Sequence, residues 1–431
     1  MKIEKNIIFY IYFFFYLSMY LGFFYNEDFA FGTIRDYLVH IDAANLMKQD
    51  ILGTFLKYDH LEGGAIPHSP IYIFYFMSIQ NFLGGDLSRL INMHFILLIP
   101  FFSYLSLKLK FNFQKNDLKN LLPAIFFISP YFRSGALWID DNILGLTFLT
   151  ISFYFYLRFE NSKNKDIYLI FLNVLFIALA AYFRPIYCIF GVYFFLSFFL
   201  QLKLTKKFFY YITFNVILSA PALYYIVILG INEWFSPWLF RTNNITTFSL
   251  ALSLIFFYSI PFILFNFDKL KIIIYEKKIL FFSVIYLIIL FLNFNYLIPY
   301  SGGIFYKLSN LLFSNNYLFY LSNFLSFYLL FFIFKNFVIK SHLILDLALL
   351  TLLILMEIDG VIYHEAYDPL FYILAFLIFK NSIYCETIKN LSIKSLSYFF
   401  IFGLTFLIMS IIKTYIYQQE MLPYLLKYNS L

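Results

Sequence analysis

Charge is what this chain is short of. Charged side chains make up 13% of its 431 residues, against about 25% in soluble domains, which excludes an ordinary soluble globular protein. Cysteine is nearly absent. The two present, Cys188 and Cys385, fall in an expected span and an expected cytoplasmic loop, which excludes a disulfide framework and any cysteine metal-site spacing. No Walker A loop, no GxGxxG after a strand, no HExxH and no Ser-His-Asp context occurs, so ATP-driven transport by this chain alone is not expected. No basic stripe interleaved with aromatics appears in a polar region, and nucleic acid is not an expected partner. No internal repeat is visible. Glycine and proline are scarce beside abundant Phe, Tyr, Ile, Asn and Lys, a pattern of AT-rich genomes. Aromatic content alone therefore says little about a ligand.

What the chain has is apolar length. Hydrophobic residues reach 62%, with 63 Phe and 39 Tyr. Apolar stretches near 20 residues can cross a hydrocarbon core of roughly 30 Å as helices. About thirteen such spans are expected: 6–24, 90–107, 120–136, 142–158, 167–183, 186–201, 209–232, 246–266, 279–297, 317–334, 342–357, 369–380 and 395–415. The fold expected is an all-α polytopic membrane domain over residues 1–431. The first stretch lacks a small-x-small cleavage site and reads as an uncleaved span.

Pro70–Leu83 is the ambiguous segment. Fourteen helical residues rise about 21 Å, too little to cross. If it does not cross, 21 of the 31 Lys and Arg residues lie in cytoplasmic loops. If it does, every later loop flips and the excess is lost. Basic residues favour cytoplasmic loops, so the segment reads as a re-entrant or interfacial helix, with the N-terminus cytoplasmic. Acids then collect on the outer face, where a catalytic or ion-binding site is expected.

The long outer segment, Tyr25–Arg89, carries the main signal, because loops beyond about 15 residues are commonly functional. Thr33–Leu56 reads as an amphipathic helix at the membrane surface. Asp36 and His40 are four apart and share a face, the spacing of a carboxylate that serves as a base or orients an imidazole. Asp42 points elsewhere on the helix and is a further candidate. Asp140 and Asp141, adjacent at the mouth of a span, could position an acceptor hydroxyl or hold a divalent metal (Mg or Mn) through oxygen ligands. Arg184 sits at an outer turn suited to a phosphate. Arg241 and Lys307 are weaker candidates of the same kind. His364 and Glu365 lie in a later cluster of acids and a histidine, as secondary candidates.

In order along the chain, DYLVHIDAANLMKQDI, HSPIYIFYFMSIQNFLGGDLSRLINMHF, LLPAIFFISPYFRSGALWIDDNILGL and ALAAYFRPIYCIFGVYFF resemble the multi-spanning GT-C glycosyltransferases. Among these are relatives of the protein O-mannosyltransferases and the lipid A aminoarabinose transferases. Glu27-Asp28 stands earlier than, and reversed from, the tight Asp-Glu pair of the closest branches. The likeness covers about residues 1–200, implying a catalytic half with the outer loop 25–89 and a variable half over 201–431. It implies an inverting transferase that takes a sugar from a polyprenyl-phosphate carrier at the periplasmic or extracellular face of a bacterial inner membrane. The acceptor would be a glycan, a lipid or a protein. Asp36 would deprotonate the acceptor hydroxyl with His40 assisting, Asp140 or Asp141 would orient it, and Arg184 would face the leaving phosphate. The alternatives are a polymerase of lipid-linked repeat units, or a flippase or secondary transporter.

Overall fold

A computed structural model describes residues 5–30, 32–53, 69–114, 116–228, 244–273, 276–296, 301–338, 340–357 and 362–416. Every regular element among them is a helix. That follows from the composition: in lipid, backbone amides and carbonyls have no water to bond, and a helix satisfies them within one segment.

Among the described residues, seven helices are long and apolar enough to cross a bilayer: 6–24, 85–111, 141–161, 185–202, 244–265, 317–336 and 393–415. A pair bent by 78°, His364–Leu377 with Ser382–Lys389, makes eight if counted as one span. The chain is therefore an all-α, multi-pass membrane protein. Length and apolarity do not reach thirteen crossings, because apolar sequence does not separate a lipid-facing span from a helix buried in protein. The expected span 120–136 divides into a 3-10 segment, Leu118–Ile128, and a nine-residue helix, Pro130–Trp138, both almost wholly buried. The expected span 342–357 holds a twelve-residue helix, Leu343–Ile354.

The chain divides into two compact units, residues 1–234 with 400–431, and residues 235–399. In the first unit the helices are α1 (Lys5–Phe24), α2 (Thr33–Gln49), α3 (Pro70–Leu83), α4 (Gly85–Ile96), α5 (Leu98–Phe111), α6 (Pro130–Trp138), α7 (Asp141–Asn161), α8 (Ile167–Phe183), α9 (Phe190–Leu202) and α10 (Lys206–Ile228). The last helix, α11 (Ile393–Ile416), re-enters this unit after Phe399.

Helices in lipid gain no hydrophobic drive from meeting each other, so close contact and hydrogen bonds hold them. The pairing of α7 with α8 shows this. Ser152 Oγ donates to the Asn173 carbonyl at 3.0 Å, and Asn173 Nδ2 donates back to the Ser152 carbonyl at 3.0 Å. Such interhelical bonds contribute about 0.6–2 kcal/mol each. The Thr414 hydroxyl of α11 donates to the Asp28 carbonyl just beyond α1 at 3.3 Å. The C-terminal ends of α1 and α11 thus share one end of the unit. Phe9, Phe14, Val216 and Ile217 remain exposed on α1 and α10, as lipid-facing side chains do.

In the second unit, Asn244–Phe265 packs against Gly303–Phe313 and Tyr317–Asn336. Tyr286 donates to Asn323 Oδ1 at 3.0 Å, joining Lys277–Asn293 to Tyr317–Asn336.

Candidate functional site

The site is built where α1 ends. Glu27 and Asp28 follow the helix, both buried, and each has a structural task. The Asp28 carboxylate accepts the amides of Gly32, Thr33 and Ile34 at 3.0, 3.3 and 3.2 Å and the Thr33 hydroxyl at 2.6 Å. It thereby satisfies first-turn amides of α2 and opposes that helix's positive end. Glu27 receives both arms of Arg133, at 2.6 and 2.5 Å. Arg133 also donates to Ser18 and the Phe127 carbonyl. Trp138 Nε1 donates to the Glu27 carbonyl at 2.8 Å, and the buried Arg89 guanidinium stacks 3.7 Å from the Trp138 ring centre. These bonds seat α2, α4 and α6 around one end of α1.

On that seat, α2 turns one face inward. Tyr37 and His40 are buried. The Tyr37 hydroxyl accepts from Gln80 at 2.7 Å. His40 Nδ1 lies 2.7 Å from the Tyr72 hydroxyl, and Tyr72 donates to the Ile139 carbonyl at 2.6 Å. A phenol has one proton and a carbonyl has none, so that proton lies toward Ile139. His40 is then the donor to Tyr72, and neutral His40 carries its proton on Nδ1.

Ile139 itself is unusual. Its φ of 53° puts a β-branched residue in the left-handed region, at a cost of about 1–2 kcal/mol. It closes α6, and the next amide, Asp140 N, reaches back to the Gly135 carbonyl at 3.1 Å. A glycine normally occupies this position at a helix end.

The two carboxylates follow at once. Asp140 caps α7, accepting the Ile143 amide at 3.1 Å. Asp141 is buried and pairs with Arg184 at 3.2 Å, while 24% of the Arg184 side chain stays exposed. Arg184 ends α8 and precedes Pro185. Gly145 lets this turn approach, since a Cβ there would stand 2.9 Å from the Tyr187 ring and 3.0 Å from Arg184 Cβ. Tyr187 in turn donates to Asn142 Oδ1 at 2.6 Å.

Tyr72 reports how these groups converge. Its hydroxyl is held well above the ordinary pKa of 10.0, first by burial and then by the negative charges of Asp141, Asp140 and Asp36. Asp36 is partly exposed on α2, with Arg35 Nε at 3.9 Å. Tyr72 thus touches His40 directly and feels the charges of Asp36, Asp140 and Asp141, and Arg184 joins them through Asp141. A partly exposed carboxylate one turn from a buried imidazole, two acids tied by a helix cap and an ion pair, and a partly exposed guanidinium can accept a proton and oppose an anion.

The other candidates lie elsewhere. Asp42 is exposed on α2. Arg241 falls outside the described residues. Lys307, His364 and Glu365 belong to the second unit. There His364 Nδ1 meets the Tyr258 hydroxyl at 2.8 Å, and the buried Asp368 donates its amide to the His364 carbonyl at 2.8 Å. Among the described residues no three His, Cys, Asp or Glu side chains group to hold a metal. Asp140 serves as a helix cap and Asp141 as a charge partner.

Ile139, Arg89 and the pairing of Glu27 with Arg133 were not singled out from sequence as site builders, and Tyr72 was read only as a ring that could stack on a sugar, not as a hydroxyl donor. Only Tyr72 carried a local signal, lying just after Ser69-Pro70 in the segment too short to cross. No protein-family model, no curated protein and no solved structure matches the chain.

Proposed function

We propose that this chain is a GT-C-type glycosyltransferase that moves a sugar from a polyprenyl-phosphate carrier to an acceptor hydroxyl in cell-surface glycan assembly. The observation that carries the reading is that the His40–Tyr72 pair, one turn beyond Asp36 on α2, bonds the Ile139 carbonyl at the turn into Asp140 and Asp141, with Asp141 paired to Arg184. In this reading Asp36 takes the proton of the acceptor hydroxyl. The acceptor oxygen bonds to the sugar's anomeric carbon from the opposite face as the bond to the carrier phosphate breaks. The electron pair leaves with the phosphate, and Arg184 opposes its growing charge. His40 assists Asp36, and Asp140 and Asp141 orient the groups. No step is assigned to a metal.

The finer topology belongs to the same proposal. A cytoplasmic N-terminus and a crossing α1 would put the cluster at the end of α1 on the outer face of the bacterial inner membrane. The shared end of α1 and α11 supports an odd number of crossings.

Membranes containing the chain, incubated with radiolabelled polyprenyl-linked sugars, should yield a labelled product. Asp36→Asn should abolish transfer at normal protein level. Parental transfer by Asp36→Asn would sink the assignment. Lipid-dependent uptake into vesicles without any transfer product would favour a transporter.

A further inference from the structure

We infer that Tyr72 is a positioning residue, whose hydroxyl holds the turn that presents Asp140 and Asp141. The activity part of this inference rests on the transferase reading, and its structural part stands on hydrogen-bond geometry alone.

Three elements meet at one oxygen. His40 brings α2, Tyr72 belongs to the first turn of α3, and the Ile139 carbonyl belongs to the junction of α6 and α7. The peptide that carries this carbonyl is the one that leads into Asp140. Turning it would swing the Asp140 cap and the start of α7, where Asp141 meets Arg184. Ile139 has a conformation that its own side chain resists, so the turn needs restraint from outside. The bond from Asp140 N to the Gly135 carbonyl restrains one side, and the Tyr72 hydroxyl restrains the other.

The ring of Tyr72 does separate work. It packs against His40, Phe76 and Phe183. Tyr72→Phe keeps that packing and removes only the hydroxyl. Burial and the neighbouring carboxylates keep the phenol protonated, so it stays a donor. The segment Pro70–Leu83 thereby gains a role that its failure to cross the membrane leaves open. It brings a donor to the turn before the two acids.

The test uses the purified full-length chain in lipid nanodiscs, with a labelled polyprenyl-phosphate sugar as probe. Tyr72→Phe should lower kcat roughly tenfold to a hundredfold, the scale of a small misplacement of reacting groups, while KM for the lipid-linked sugar stays the same. Amide hydrogen exchange should quicken in the peptide spanning Ile139–Asp141. Adding Ile139→Leu should restore part of kcat, because it removes the β-branch that resists the left-handed conformation and keeps the volume of a fully buried side chain. Parental kcat in Tyr72→Phe overturns the inference, as does a loss of kcat with unchanged exchange and no rescue. Absence of transfer by the parental chain defeats the transferase reading, and exchange then decides alone. Faster exchange supports the restraint of the turn, and unchanged exchange overturns it. If Tyr72→Phe fails to fold, the double variant with the volume-conserving Ile139→Leu carries the test. Folded double variant supports the role of the hydroxyl, and a second failure overturns it.

Discussion

Glu27 and Arg133 are 106 residues apart and meet as a buried two-armed ion pair, at 2.6 and 2.5 Å. Removing one partner would strand the other charge away from water. Glu27→Met or Arg133→Met should each destabilise the protein by about 3–5 kcal/mol. The double replacement should cost clearly less than the sum. Thermal unfolding of the four proteins in one detergent checks this, and additive costs would show that the pair is not coupled.

Arg184 serves Asp141 as well as the proposed phosphate. Arg184→Ala should destabilise by about 2–3 kcal/mol, below the range for a fully buried pair because the guanidinium is partly exposed. It should also lower kcat for sugar transfer. Arg184→Lys should keep more stability than activity, since an ammonium replaces the charge but not the planar fork. Equal recovery of both by lysine would remove the argument for phosphate recognition.

The two acids of α2 should separate cleanly. Asp36→Asn should abolish transfer, whereas Asp42→Asn, exposed and outside the cluster, should leave the rate unaltered. Rates measured in the same membranes distinguish them. A loss in Asp42→Asn matching that of Asp36→Asn would mean that α2 presents a different face to substrate.

Gly145 faces Tyr187 and Arg184 at a distance that leaves no room for a methyl group. Gly145→Ala should destabilise by about 1–3 kcal/mol, the cost of overpacking. It should also reduce transfer by displacing Arg184. A variant with parental melting temperature would show that the turn yields.

Tyr72 should also mark the alkaline limb of stability. Its raised pKa means that the folded protein keeps a proton that the unfolded chain loses above about pH 10. Its contribution is complete below that pH and declines above it, by up to about 1.4 kcal/mol per pH unit. The stability gap between the parental protein and Tyr72→Phe should therefore narrow as pH rises beyond 10. A constant gap in alkaline unfolding would contradict the assigned shift.

Much of the candidate site was legible because it depends on short spacing. Asp36 and His40 share a helix face at i and i+4 whatever the helix packs against. Adjacent acids before an apolar run, Asp140-Asp141, announce a helix start that one of them caps. The Arg184-Pro185 pair announces a break after α8. The tasks of Glu27 and Asp28 were not legible, because a buried pair and a cap look in sequence like any two acids. The number of crossings was not legible for a related reason. Leu118–Ile128 is as apolar as a crossing helix, yet it is buried in protein.

Sequence alone determined the class: too little charge for water, and too many long apolar runs for anything but a multi-pass helical membrane protein. Periodicity and composition suffice there, because lipid demands that each segment satisfy its own backbone. Only the tertiary structure decided that Tyr72 touches both His40 and Ile139, and that Asp141 answers to Arg184. Those contacts join residues 32, 67 and 43 positions apart. No local pattern encodes them, because they depend on how α2, α3 and α8 pack around the junction of α6 and α7.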